Sequence, residues 1–311
     1  MEWAVAIPRD QVLGWLDNYF CKNGKELDSD LIAAVWDAGE TQFGSIDIRR
    51  LYFGQEFCEK ALPTLKELDQ ALEMGEKKGL AFTLVTPYVT EEGLGGVKNL
   101  LAQLAKLKPQ AEVVVNDWGV LELLVREYPA LTPVLGRLLN KVLRDPRLFA
   151  HIGKGKCTLD NTQTKTLENL RQSSLAGEPM QTLLAGYKVK RLEMDLPPQG
   201  LDHRLSALGY DLSLYLPYGV ITTGRICLMH SWGENDLEKF KPFIGGCERK
   251  CRYYWLAMTD PSGQVPKSKD WTIWQKGNTV FYRQNKDFIK KGLEKAKEIG
   301  ITRVVIQKEP L

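Results

Sequence analysis

No apolar run in the 311-residue chain approaches the roughly 18 residues that a membrane-spanning helix needs. The opening "MEWAVAIPRDQ" carries an acid at position 2 and an apolar stretch too short for a signal peptide, so a cytoplasmic location is expected. Histidines number only three, His151, His203 and His230. Neither HExxH nor GxSxG occurs, which removes the usual signatures of a zinc protease and of a serine hydrolase. Charge of one sign is also lacking: 42 basic and 39 acidic residues leave +3. That balance disfavours nucleic acid as the partner, although a local basic patch stays open. No fixed-period repeat, low-complexity tract or interdomain linker interrupts the chain.

Cysteine is scarce as well, at six residues. In a reducing compartment these are poor disulfide candidates, and a close pair points instead to metal binding or redox chemistry. One such pair stands out in "GGCERKCRYYW", where Cys247 and Cys251 are four apart.

Apolar, β-branched segments alternate with amphipathic ones through most of the sequence, the pattern of parallel strands joined by crossover helices. Eight strands are expected at 3–8, 46–54, 81–88, 111–117, 132–139, 190–198, 212–221 and 301–307. Among the helices, "DLIAAVWDAG" ends at Gly39, and Leu62, Leu65, Leu68 and Leu72 share one face of the next. The expectation is an α/β fold, a (β/α)8 TIM-like barrel forming one domain over 1–311. Two regions break the alternation: a helical insertion at about 141–189 and an excursion at about 225–285, in which "WTIWQKGNTVFYRQN" reads as a β-hairpin.

Barrel chemistry is built at the carboxyl ends of the strands. Cys58 follows the second strand and Cys227 the seventh, with Cys247 and Cys251 in the excursion that starts there, so four thiolates can meet at one rim. Such a set would satisfy either tetrahedral zinc or a [4Fe-4S] cluster, and spacing alone does not choose. A radical S-adenosylmethionine site is excluded, because position 254 is Tyr254 where that pattern requires cysteine. Cys21 and Cys157 lie away from strand ends and read as small buried hydrophobes.

Other polar candidates sit at strand ends. Asn116 and Asp117 close the fourth strand and would bind or polarise a substrate, unless Asp117 caps the next helix. Arg137 on the fifth strand and Arg225 beside Cys227 are candidates to clamp a carboxylate, against the alternative of surface salt bridges. Glu193 and Asp195 on the sixth strand are read as alternating in and out, so that one parity faces the barrel and supplies a further candidate, Glu193. His230 stands either near the cysteines or in a structural hydrogen bond. Trp232, Trp255, Trp271 and Trp274 would pack the excursion, shield a cluster or meet a partner.

"LYFGQEFCEKA", "VVVNDWGVLEL" and "TTGRICLMHS", followed by "CERKCR", together resemble the collagenase-like peptidase family U-thirty-two, most closely its UbiV branch. The likeness covers most of the chain and aligns poorly over 141–189. It implies a [4Fe-4S] cluster on Cys58, Cys227, Cys247 and Cys251, with one departure: the family's "GRC" is here Gly224, Arg225, Ile226, Cys227. It further implies oxygen-independent hydroxylation of a small aromatic substrate such as a ubiquinone precursor, with prephenate as oxygen source and a UbiU-like family member as heterodimer partner. The alternatives are a collagenase-like peptidase, zinc-stabilised, and a noncatalytic iron-sulfur scaffold subunit.

Overall fold

The computed structural model describes residues 1–8, 30–144, 165, 168–233, 235–236, 246–259 and 271–310, with the side chain of Trp271 left aside. Cys21, Cys157, His151 and residues 145–164 and 166–167 of the 141–189 insertion therefore lie outside the described residues.

Eight parallel strands close into a barrel: β1 (Glu2–Pro8), β2 (Ile48–Gly54), β3 (Ala81–Thr86), β4 (Glu112–Val115), β5 (Thr132–Leu135), β6 (Arg191–Asp195), β7 (Asp211–Leu216) and β12 (Ile301–Gln307). The ring is sealed where β1 pairs with β12, Trp3 lying opposite Val304. Connecting helices are α1 (Asp30–Phe43), α2 (Leu65–Lys77), α3 (Glu91–Leu107), α4 (Trp118–Glu127), α5 (Glu178–Gly186), the short α6 (Arg204–Ala207) and α7 (Lys286–Ile299). This is the (β/α)8 architecture expected. Residues 178–189 belong to the crossover into β6 rather than to an inserted unit, because Leu184 of α5 is buried in the main core.

Two helices depart from expectation. α1 continues past Gly39 to Phe43, and Gly39 is an interior packing point rather than a stop: a Cβ there would lie 2.4 Å from the Trp3 ring and 2.8 Å from Ile46. α2 starts only at Leu65, where Thr64 caps it. The Thr64 hydroxyl accepts from the Glu67 amide at 3.3 Å, and the Glu67 carboxylate accepts from the Thr64 amide at 2.7 Å, a reciprocal capping box. That start rotates Leu65 out to solvent and leaves Leu68, Ala71, Leu72 and Gly75 as the buried face.

The seventh predicted strand also divides. Pro217 has no N–H to continue a ladder, and beyond it β8 (Tyr218–Thr223) leaves the barrel to start a second sheet. That antiparallel sheet runs β8, β11 (Thr279–Gln284), β10 (Trp271–Lys276), β9 (Leu256–Ala257). β10 and β11 form the expected hairpin, Lys276 pairing with Thr279 across Gly277 and Asn278; Gly277 holds the positive φ of 62° that the tight turn needs.

Three apolar cores follow. The largest lies between barrel and helices, and a second fills the barrel around Tyr52, Val114, Val134 and Tyr215. The third, Phe57, Leu138, Val220 and Phe281, seats the small sheet on the barrel's carboxyl rim, with Phe57 and Phe281 edge to face at 5.1 Å.

Replacing Gly39 by Ala should lower the unfolding free energy by about 1–3 kcal/mol through overpacking against Trp3. A urea denaturation curve with an unchanged midpoint would show that the contact relaxes freely.

Candidate functional site

Cys58, Cys227, Cys247 and Cys251 line one cavity of about 870 Å³ at the barrel's carboxyl rim. All four are unpaired in disulfides and partly buried. Each arrives on a different local device. Cys58 stands between β2 and a 3-10 turn at Glu59–Ala61. Cys227 opens a tight turn in which its carbonyl accepts from the amides of both His230 and Ser231 at 3.1 Å. Cys247 and Cys251 flank Arg249, whose left-handed backbone (φ 53°) folds the segment back on itself; the Arg249 amide lies 3.4 Å from the Cys247 sulfur.

Burial pushes every one of these thiols up, Cys58 to about 12 and Cys251 to about 11. For Cys58 the backbone hydrogen bond from Lys60 opposes that rise and the other three thiols add to it, while Cys227 and Cys247 raise Cys251 and Cys247 raises Cys227. Among the described residues no three His, Cys, Asp or Glu side chains already form a group that could hold a single metal ion.

Phe57, Tyr88 and Val89 give that space apolar walls, while Lys60, Arg225 and His230 bring positive or protonatable groups to it. Arg225 is exposed, its guanidinium 5.8 Å from the Tyr88 ring centre and 3.5 Å from the Val89 carbonyl. On the barrel side Glu59 closes the edge, accepting from the Thr90 amide at 2.6 Å at the start of α3.

The remaining predicted residues are committed elsewhere. Asp117 caps α4, accepting from the Gly119 and Val120 amides at 2.7 and 3.2 Å. Asn116 is buried and bridges strand ends, donating to the Thr86 carbonyl at 3.0 Å and accepting from the Leu138 amide at 3.0 Å. Both are thereby engaged in holding the strand ends in place. Arg137 lies two residues beyond β5, not on it, and is fully buried rather than in a surface salt bridge. It grips Glu56 through two bonds of 2.8 and 2.6 Å and Asp195 through one of 2.6 Å, and its plane lies 4.0 Å from the Tyr215 ring centre. Burial opposes the charge, but Glu56 and Asp195 outweigh it and hold the guanidinium protonated more firmly than usual. The carboxylates it clamps are the protein's own.

Glu193 and Asp195, being two apart, share the inner face instead of alternating, and both are buried. Glu193 accepts from the Tyr52 hydroxyl at 3.0 Å through Oε1, while its Oε2 has no hydrogen-bond partner. Burial raises its carboxyl to about 7, against the pull of Arg303 and the Tyr52 hydrogen bond; Glu112 adds to the rise and Arg191 opposes it.

Of the tryptophans, Trp274 packs against Tyr218 and Trp255, with ring centres at 5.7 and 5.2 Å. Trp232 and Trp255 are each 53% exposed, so for these two the core-packing reading fails. Sequence reasoning did not find Glu56, Tyr88 or Asn278. Glu56, two positions before Cys58 at a strand's carboxyl end, carried the one signal that was there to use.

No family model matches the chain, and no curated protein does. Among solved structures, a Group IV chitinase from Ostrinia furnacalis aligns at 12% identity over 98% of this chain and 92% of its own, with a TM-score of 0.28. A glycoside hydrolase family 18 N-acetylglucosaminidase from Paenibacillus barengoltzii aligns at 10% identity over 98% and 94%, with a TM-score of 0.26. Likeness at that level carries no argument about this chain.

Arg137→Met should destabilise the fold by about 3–5 kcal/mol, since it strands Glu56 as a buried charge and leaves Asp195 with Arg144 alone; a loss below about 1 kcal/mol in denaturant titration would contradict the network's role. Glu193 gives a pH signature. Its folded pKa lies above the unfolded one, so its contribution is complete below about pH 4.5 and lost as pH rises through about 7. Glu193→Gln should remove that loss, shifting the stability difference in favour of Gln by on the order of 3 kcal/mol between pH 4.5 and 8. Parallel stability-pH curves would refute it.

Proposed function

We propose that the chain is an iron-sulfur protein in which Cys58, Cys227, Cys247 and Cys251 hold a [4Fe-4S] cluster, and that it works in the oxygen-independent hydroxylation of a small aromatic substrate. The observation that carries this reading is the convergence of four thiols, from three separate segments, on one cavity. An all-cysteine set is the donor chemistry of iron-sulfur clusters. Zinc shares that preference for thiolates, so the choice of a cluster rests on the resemblance to the UbiV branch. When bound, the cluster supplies one-electron chemistry, and with four cysteine ligands its irons have no open position for substrate.

The substrate side rests on the same cavity. Its volume falls within the range of about 300–1,000 Å³ typical of small-molecule sites, and its walls combine Phe57, Tyr88 and Val89 with Lys60, Arg225 and His230 and with Glu59, Glu91 and Glu92. Arg225 is the one predicted carboxylate clamp that lines it, since Arg137 is taken up by Glu56 and Asp195. Resemblance to the UbiV branch supplies the reaction class, a ubiquinone precursor as substrate and prephenate as oxygen source. It also implies a UbiU-like partner. In support of a partner, Trp232, Tyr253, Tyr254 and Trp255 are 52–72% exposed beside the cysteine segments, the kind of apolar surface that interfaces cover.

Protein prepared and reconstituted without oxygen should carry about four iron and four sulfide per chain and absorb broadly near about 400 nm. Cys58→Ala should lose most of that iron, because Cys58 is the ligand contributed by the barrel itself. Stoichiometric zinc with no iron or sulfide would overturn the reading in favour of a zinc-stabilised protein.

A further inference from the structure

Cys58 belongs to the barrel, whereas Cys227, Cys247 and Cys251 belong to the excursion that leaves it at Pro217. Their common cavity keeps its shape only if something holds the two parts in register. At the tip of the β10–β11 hairpin, the buried Asn278 side chain does this. Its Nδ2 donates to the Phe57 carbonyl at 2.7 Å, one residue before Cys58, and to the Gly224 carbonyl at 2.8 Å, three residues before Cys227. The Tyr88 hydroxyl, from the loop after β3, lies 3.0 Å from the same nitrogen and itself donates to Gly224. The Asn278 carbonyl in turn accepts from the Gly224 amide at 3.0 Å, and its Oδ1 accepts from the Thr279 hydroxyl at 3.1 Å.

Only an amide meets these demands. Phe57 and Gly224 both present carbonyl oxygens, so the pinning group must offer two hydrogens, and its own oxygen must find a donor elsewhere. Asp at 278 would set an acceptor against acceptors. Among the described hydrogen bonds, the one from Asn278 to Phe57 joins the Cys58 loop directly to the excursion, and the one to Gly224 carries that link on to the Cys227 segment.

We propose that Asn278 is a positioning residue that sets the separation of Cys58 from Cys227 and thereby the retention of a cluster between them. This rests on the iron-sulfur reading above. Residues that orient ligands from behind commonly change metal affinity by about 10–100-fold when removed, and Asn278 acts here through the backbone on either side of the site.

The test compares wild type, Asn278→Ala and Asn278→Ser, each reconstituted anaerobically, by the rate at which a chelator removes iron. In parallel, spin labels on Cys58 and Cys227, with the other four cysteines changed to Ser, report the distance between the two loops. Asn278→Ala should lose iron at least about ten-fold faster and broaden the label distance distribution, with a smaller effect for Ser, which keeps one donor and covers the case in which Ala does not fold. Unchanged rates and distances would overturn the proposal. So would faster iron loss at unchanged distance, because the residue would then act on the cluster itself, or a broadened distance with unchanged iron retention. If wild type takes up no iron, the iron-sulfur reading falls, and the label distances alone decide whether Asn278 positions the two loops.

Discussion

The arrangement of this protein's carboxyl rim depends on one buried guanidinium. Arg137 reaches across the barrel mouth to Glu56 after β2, Asp195 at the end of β6, the Tyr218 carbonyl at the start of β8 and, at 3.4 Å, Gln307 at the end of β12. Arg144 adds a second cation to Asp195 at 3.0 Å. Two arginines thus balance two carboxylates in a region from which water is excluded, and each charge is tolerable only because the others are present. The consequence is steric as well as electrostatic. A barrel of this type ordinarily offers its axis to a substrate, but here Arg137 occupies it and leaves a cavity of only about 30 Å³ among Tyr52, Tyr215, Glu56 and Gln307.

Space for chemistry is therefore displaced sideways, over the ends of β2 and β3. There the small sheet supplies the missing wall. β8 carries the chain away from the barrel, β11 brings Phe281 down onto Phe57, and the hairpin tip delivers Asn278 to the loops that bear Cys58 and Cys227. Polar residues at the strand ends are built into this construction. Asp117 starts a helix, Asn116 ties β3 to the segment after β5, and the cavity keeps Arg225, Lys60 and His230 as its basic groups.

Much of this was legible in advance, and the failures have physical causes. Period-two and period-3.6 patterns located all eight barrel strands, since burial on both faces leaves a strand little freedom of composition. The Leu62–Leu65–Leu68–Leu72 stripe misled because helix phase depends on where the helix starts, and the Thr64–Glu67 capping box places Leu65 on the exposed side. Gly39 read as a stop because glycine often ends helices; its actual role, admitting the Trp3 ring, is a contact between distant segments. Glu193 and Asp195 needed only the count of two to be placed on one face. Arg137 was the harder case. A guanidinium suits a substrate carboxylate and a protein carboxylate equally well, and only the fold brought Glu56, 81 positions away in sequence, to meet it.

The sequence by itself determined the alternation of strands and helices, and with it a barrel whose rim collects Cys58 and Cys227, because hydrophobic periodicity and strand order are local properties written residue by residue. Tertiary structure alone decided which rim residues remain available. Whether a charged or polar side chain is free for chemistry or consumed in packing depends on partners that are remote in sequence, and hydrogen-bond valence once used by Glu56, Asp195 or a helix terminus cannot be offered again.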